Sequence, residues 1–142
     1  MRHTESGLAI PDFPLVGGYY FPLFNQAMLD VLQDIRFELG LPLATMGQVF
    51  IHFVHRIIAV VIVCAAGGLS LKVFKNYKNN KKVFWNLITL DASILIQILL
   101  GAITIWSVKD PLVTSIHVVN GASILGLSTL MLLRVYPIKF KE

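Results

Sequence analysis

Charge is what this chain has least of. Asp, Glu, Lys and Arg make up 14% of its 142 residues, against 56% hydrophobic residues and a mean hydropathy of +0.72. Soluble domains carry about a quarter charged residues, so an ordinary soluble globular domain is excluded. Cysteine is nearly absent too. The single Cys64 lies inside an apolar run, which rules out an internal disulfide and reads as packing. There is no Gly-rich phosphate loop, no nucleophile elbow and no Cys-x-x-Cys pair. Residues 1–15 lack the apolar core of a cleavable signal peptide, and no internal repeat is visible.

Long apolar runs are what the chain has instead. Three segments, at about 48–71, 83–106 and 112–135, meet the length of roughly 20 apolar residues needed to cross a bilayer. The net charge of +4 is distributed in a way that follows those runs. Lys72, Lys75, Lys78, Lys81 and Lys82 fill the link between the first two, and Arg134, Lys139 and Lys141 follow the third. The segment before the first run is acidic, with Glu5, Asp12, Asp30, Asp34 and Glu38 against Arg2 and Arg36. The positive-inside rule then places the lysine link and the C-terminus in the cytoplasm, and the N-terminal segment and the Lys109-Asp110-Pro111 turn outside. The lysines read as topology determinants in a multi-pass cell-membrane protein of bacterial type, not as a nucleic-acid patch.

Residues 1–47 form an outer loop in this reading and residues 48–142 a transmembrane bundle. Gly7, Pro11, Pro14, Gly17, Gly18 and Pro22 prevent a continuous helix at the start. Phe13, Tyr19, Tyr20, Phe21 and Phe24 suit a loop lying at the headgroup level. From about 26 to 39 the spacing of Met28, Val31, Leu32, Ile35 and Leu39 predicts a short amphipathic helix along the surface, a lid in the simplest case. The fold class is therefore all-α membrane protein. Asp91 and Gln97 interrupt the second run, and Gly101 permits close helix approach. The third run carries Thr114, Ser115, His117, Asn120, Gly121, Ser123 and Ser128, a polar content that predicts a face turned to protein or ligand.

Histidines stand where hydrocarbon is expected. His52 and His55 lie near the start of the first run, about 60° apart around a helix, and His117 lies near the start of the third. An ionisable group within a span is costly and is a functional hypothesis by default. His55 falls roughly 10 Å and His117 roughly 8 Å inside its span, so both imidazoles share one depth in the outer half. A porphyrin could bridge them, since haem iron takes axial imidazole. Arg56 offers a guanidinium of the right geometry for a propionate. His52 either takes part in chemistry or holds a propionate or a water. Zinc fits less well, because no acidic or thiolate partner sits at metal spacing.

Several segments together resemble haem A synthase. They are the loop Arg2-His3-Thr4-Glu5-Ser6-Gly7-Leu8-Ala9-Ile10-Pro11-Asp12-Phe13-Pro14-Leu15, His55-Arg56 with Ala59, Gln97-Ile98-Leu99-Leu100-Gly101-Ala102, and His117. Members of that family are built of two pseudo-repeated four-helix bundles, with an outer loop after each first helix and histidines on the second and fourth helices. One bundle holds haem b and the other receives haem O, whose C8 methyl is oxidised to the formyl of haem A for terminal oxidases. The resemblance implies His55 and His117 as axial iron ligands of haem b or haem O, with Arg56 on the cofactor. It covers one bundle from its outer loop onward, so the first helix is expected to be missing, with Met1 a mis-assigned start or the chain a truncated copy. A half-size protein then needs a second bundle, most simply through homo-oligomerisation. Haem O synthase and a terminal oxidase are the implied protein partners.

Two departures from the family pattern stand out. Ile10 and Val16 occupy the places of a cysteine pair found in some relatives. His52 occupies a position that is Glu in the substrate-binding half of some members. An imidazole can still relay protons near neutral pH, which makes His52 one catalytic candidate. Glu5 is the other, as the nearest remaining carboxylate, though a solvated loop residue is its simpler reading. Two further readings stay open: a non-catalytic b-type haem-binding electron-transfer subunit, and a structural or assembly membrane protein.

Overall fold

The computed structural model describes residues 6–135. After a single 3₁₀ turn at Ser6–Leu8 come four helices: α1 (Gln26–Glu38), α2 (Met46–Asn76), α3 (Lys81–Trp106) and α4 (Pro111–Val135). No strand occurs among the described residues; the one isolated bridge pairs Val16 with Tyr19. The helices α2, α3 and α4 are long and apolar enough to cross a membrane.

The ends of the helices are set by caps that apolar periodicity does not weigh. At α2 the Thr45 hydroxyl accepts from the Gln48 N–H while the Gln48 side chain accepts from the Thr45 N–H, a reciprocal capping box. The helix therefore begins at Met46, two residues before the expected start, and continues through Lys72 and Lys75 to Asn76. Lysine is a good helix former whose charged tip can reach the interface, so the lysine link is mostly helical and the true turn is short. Asn80 caps α3, its side chain accepting from the Val83 N–H. Asp110 Oδ1 accepts from Leu112 and Val113 N–H at 2.9 and 3.1 Å, with Pro111 at the first helical position.

The core is split between the two ends of the bundle. At the loop end Ala9, Ile10, Val16, Met28, Leu32, Ala44 and Val49 close on one another. At the lysine end Val73, Val83, Leu87 and Met131 do the same. Helix α4 packs along α3, and α2 touches α3 more lightly. Between the two cores the helices hold one another by polar contacts: Ser70 Oγ donates to Asp91 Oδ2 at 2.7 Å, and Asn86 Nδ2 to Leu127 O at 3.2 Å.

Helix α1 differs from its expected face. Met28, Leu32 and Arg36 are the buried line, while Val31 and Leu39 stay exposed. Arg36 is buried because its guanidinium donates to Leu8 O and Pro42 O, tying the N-terminal loop to the segment that follows α1. Burial lowers its pKa from the ordinary arginine value, which still leaves it charged. Gly17 is required where α1 meets the loop. Its φ is +58°, and a Cβ there would stand 2.7 Å from Met28 Cγ.

The polar content of α4 is also only partly turned inward. Exposed Ser115, Ser123, Ser128 and Thr129 donate to the carbonyls of Pro111, Val119, Ile124 and Leu125 one turn back. A hydroxyl satisfied within its own helix can face lipid; His117, Asn120 and Gly121 are turned to α3, and Thr114 keeps a buried Oγ1.

Candidate functional site

The N-terminal loop closes over one end of the bundle because α2 grips its backbone. His52, 3% exposed, accepts the Ile10 N–H at its Nδ1 over 3.1 Å. One turn further, Arg56 donates to Ile10 O at 3.1 Å and to Leu15 O at 2.7 Å, with a longer contact to Pro14 O at 3.4 Å. Both polar groups of Ile10 are thus held by side chains four residues apart on one helix. The Phe13 ring lies under the Arg56 guanidinium, 5.2 Å from centroid to carbon, and edge-on to Trp106 at 6.1 Å. Lys109 from the turn between α3 and α4 lies against Gly7, whose Cβ would stand 3.3 Å from Lys109 Nζ. Because Nδ1 of His52 accepts, its ring proton in the neutral form is on Nε2.

His55 sits differently from His52. About 60° of helical rotation is enough to carry it from beneath the loop to an exposed position, where it makes no hydrogen bond among the described residues. His117 of α4 is half-buried, and its ring lies over Gly101 of α3, where a Cβ would stand 3.4 Å from Cε1. Its Nε2 meets Gln97 Nε2 at 3.3 Å, and its Nδ1 is buried without a hydrogen-bond partner. The structure therefore sets the two histidines that the sequence pairs toward the loop end of α2 and α4, and assigns His52 and Arg56 contacts with the loop backbone. Glu5 lies outside the described residues.

Below the histidines, in the direction of the lysine end, an apolar cavity of about 210 Å³ opens between Ala65, Ala66 and Leu69 of α2, Leu90 and Ile94 of α3, and Ile124 of α4. Among the described residues no group of three or more His, Cys, Asp or Glu converges on a metal position. A two-imidazole set does suit haem iron, which brings four ligands of its own. An exposed His55, a His117 ring set against Gly101 and a buried, unpartnered Arg56 Nε fit such a group.

Sequence reading singles out neither Arg36 nor the joint role of Gln97 and Asn120. The signal for the latter is present: an amide on α3 and an amide three residues after a histidine on α4 are the residue types that link helices in lipid.

No curated protein and no solved structure matches the chain. A family model described as cytochrome oxidase assembly protein matches residues 1–129, a span that takes in the loop, all four helix starts and every histidine. The chain is an integral membrane protein with a role in cytochrome oxidase assembly, and it belongs to the COX15-CtaA family, the haem A synthase family that its sequence resembles.

Proposed function

We propose that this chain acts in haem A synthesis, oxidising the C8 methyl of haem O to a formyl group. The carrying observation is that His55 on α2 and His117 on α4 both lie toward the loop end of their helices, with His117 set against Gly101 of α3, in a chain of this family. His55 and His117 are the residues that would hold the iron. When bound, haem supplies one-electron redox chemistry that no protein side chain here can supply.

The chain's own residues do the rest. His52 and Arg56 clamp Ile10 and keep the loop seated over the histidine end of the bundle. Arg56 keeps its Nε for a propionate while its other nitrogens hold the loop. Glu5 is the proposed carboxylate of the loop. Haem O is the substrate in this reading, haem O synthase its supplier and a terminal oxidase the user of the product. The second bundle is a second copy of the chain. The loop end faces the outer side and the lysine end the cytoplasm in this reading, which the excess of lysine at that end supports.

One observation favours a second reading, a b-type haem subunit that passes electrons without oxidising substrate. His52 stands at the acidic position of the family pattern and is engaged by the Ile10 N–H, so that nitrogen is not free to relay a proton. Co-expression with a haem O source, followed by mass analysis of extracted haem, separates the two. Haem A or its hydroxylated precursor supports the enzyme; haem b with unaltered haem O supports the electron-transfer subunit. Absence of a Soret band after haem-replete expression refutes both. Spectra unchanged in both His55→Ala and His117→Ala refute the ligand assignment.

A further inference from the structure

Two amides fix where the proton of His117 resides. Asn120 Nδ2 donates to Ser93 O at 2.9 Å and to Gln97 Oε1 at 2.8 Å, which uses both of its N–H groups. With its oxygen held in this way, Gln97 has only its NH₂ to turn toward His117, and that contact is 3.3 Å to Nε2. An N–H meets a ring nitrogen only where that nitrogen carries the lone pair. Nε2 is therefore the acceptor, and the proton of the neutral imidazole sits on Nδ1, the buried nitrogen that has no partner. A reversed Gln97 amide would set its NH₂ against that of Asn120 and break the bond between them. Glycine makes room for this arrangement, since a Cβ at Gly121 would stand 3.2 Å from Gln97 Nε2.

We propose that Gln97, oriented by Asn120, is a positioning residue that keeps His117 in its Nδ1–H tautomer and caps the Nε2 lone pair until a ligand takes it. The identity of that ligand rests on the haem reading above; the tautomer belongs to the haem-free chain and does not. The nitrogen prepared for the ligand is Nε2, and the Gln97 amide has to move aside for it. A neutral hydrogen bond of net strength about 1 kcal/mol corresponds to about five-fold in a binding constant.

The test uses the full chain in lipid nanodiscs without haem, ¹⁵N-labelled at histidine, with the His117 signals identified by their loss in His117→Gln. Long-range ¹H–¹⁵N spectra are expected to show Nδ1 protonated and Nε2 bare. In Gln97→Glu the carboxylate accepts from both sides, so the proton moves to Nε2; in Asn120→Ala the freed amide can flip and the two tautomers mix. An Nε2–H tautomer in the wild type, or no change in Gln97→Glu, overturns the positioning role. Titration with haemin is expected to show about five-fold tighter binding in Gln97→Leu, and equal or weaker binding overturns the cap. If no form of the chain develops a Soret band, the haem reading and the cap both fail, and the spectra of the haem-free protein still decide the tautomer.

Discussion

The grip of α2 on the loop predicts a local opening that Arg56 controls. Arg56→Ala removes two charge-assisted bonds, to Ile10 O at 3.1 Å and Leu15 O at 2.7 Å, and the stacking of Phe13. Each bond to a charged group is worth about 1.5–3 kcal/mol, and the freed carbonyls regain part of that from water. Taking the lower value for each gives about 3 kcal/mol, or about a hundredfold in the equilibrium for loop opening. The Ile10 N–H reports the event directly, because its acceptor is His52 Nδ1. Hydrogen exchange of peptides covering residues 6–16, measured by mass spectrometry in nanodiscs, should therefore accelerate about a hundredfold in Arg56→Ala. His52→Leu leaves one buried donor unpaired, a cost of about 1–3 kcal/mol, and should accelerate the same peptides by about 5- to 150-fold. Arg56→Lys should fall between wild type and Arg56→Ala, since a single ammonium cannot span Ile10 and Leu15 as a fork does. Exchange within α3 and α4 should not change. Loop exchange within twofold of wild type in Arg56→Ala would refute the clamp.

Three further outcomes follow from other contacts. Gly17→Ala should lower the thermal midpoint more than Gly18→Ala: both have positive φ, but only at Gly17 does a Cβ meet a neighbour, Met28 Cγ at 2.7 Å. The backbone part of each cost is about 1–2 kcal/mol, and equal midpoints in the two variants would count against the close approach. Ser70→Ala removes the donor to Asp91 and should weaken the bundle by about 0.6 kcal/mol, a typical interhelical bond in lipid; a steric-trapping measurement above about 2 kcal/mol would mean that Asp91 does more than join α2 to α3. In a Cys64→Ser background, Asn79→Cys should react with an impermeant maleimide only from the cytoplasmic side of sealed vesicles, and labelling from the opposite side would reverse the proposed topology.

The helices were legible because bilayer thickness and apolar run length are linked by simple geometry. Their ends were less so. The reciprocal bonds of Thr45 and Gln48 start α2 early, and the lysines at 72 and 75 do not stop it, because a cap and a snorkelling tip are local polar effects that hydropathy averages away. The face of α1 was misread for a related reason. Periodicity ranks Val31 above Arg36 for burial, yet Arg36 has two backbone carbonyls to donate to, those of Leu8 and Pro42, and Val31 stays exposed.

The histidines show where sequence reasoning about a site stops. The cost of an imidazole in hydrocarbon marks His52, His55 and His117 alike. That cost is relieved as well by a backbone N–H as by a ligand, and the partner of His52 is the amide of Ile10, 42 residues earlier in the chain. No spacing within α2 encodes that distance. What separates the three is what each ring meets, and that is a property of packing: His52 Nδ1 is taken by the loop, His117 Nε2 meets a Gln97 amide that Asn120 turns, and His55 is carried to an exposed position by 60° or so of rotation. The histidine with the strongest claim to be structural is therefore the one at the family's acidic position, which is why the proposed chemistry is best tested first at His55 and His117 and the loop clamp at His52.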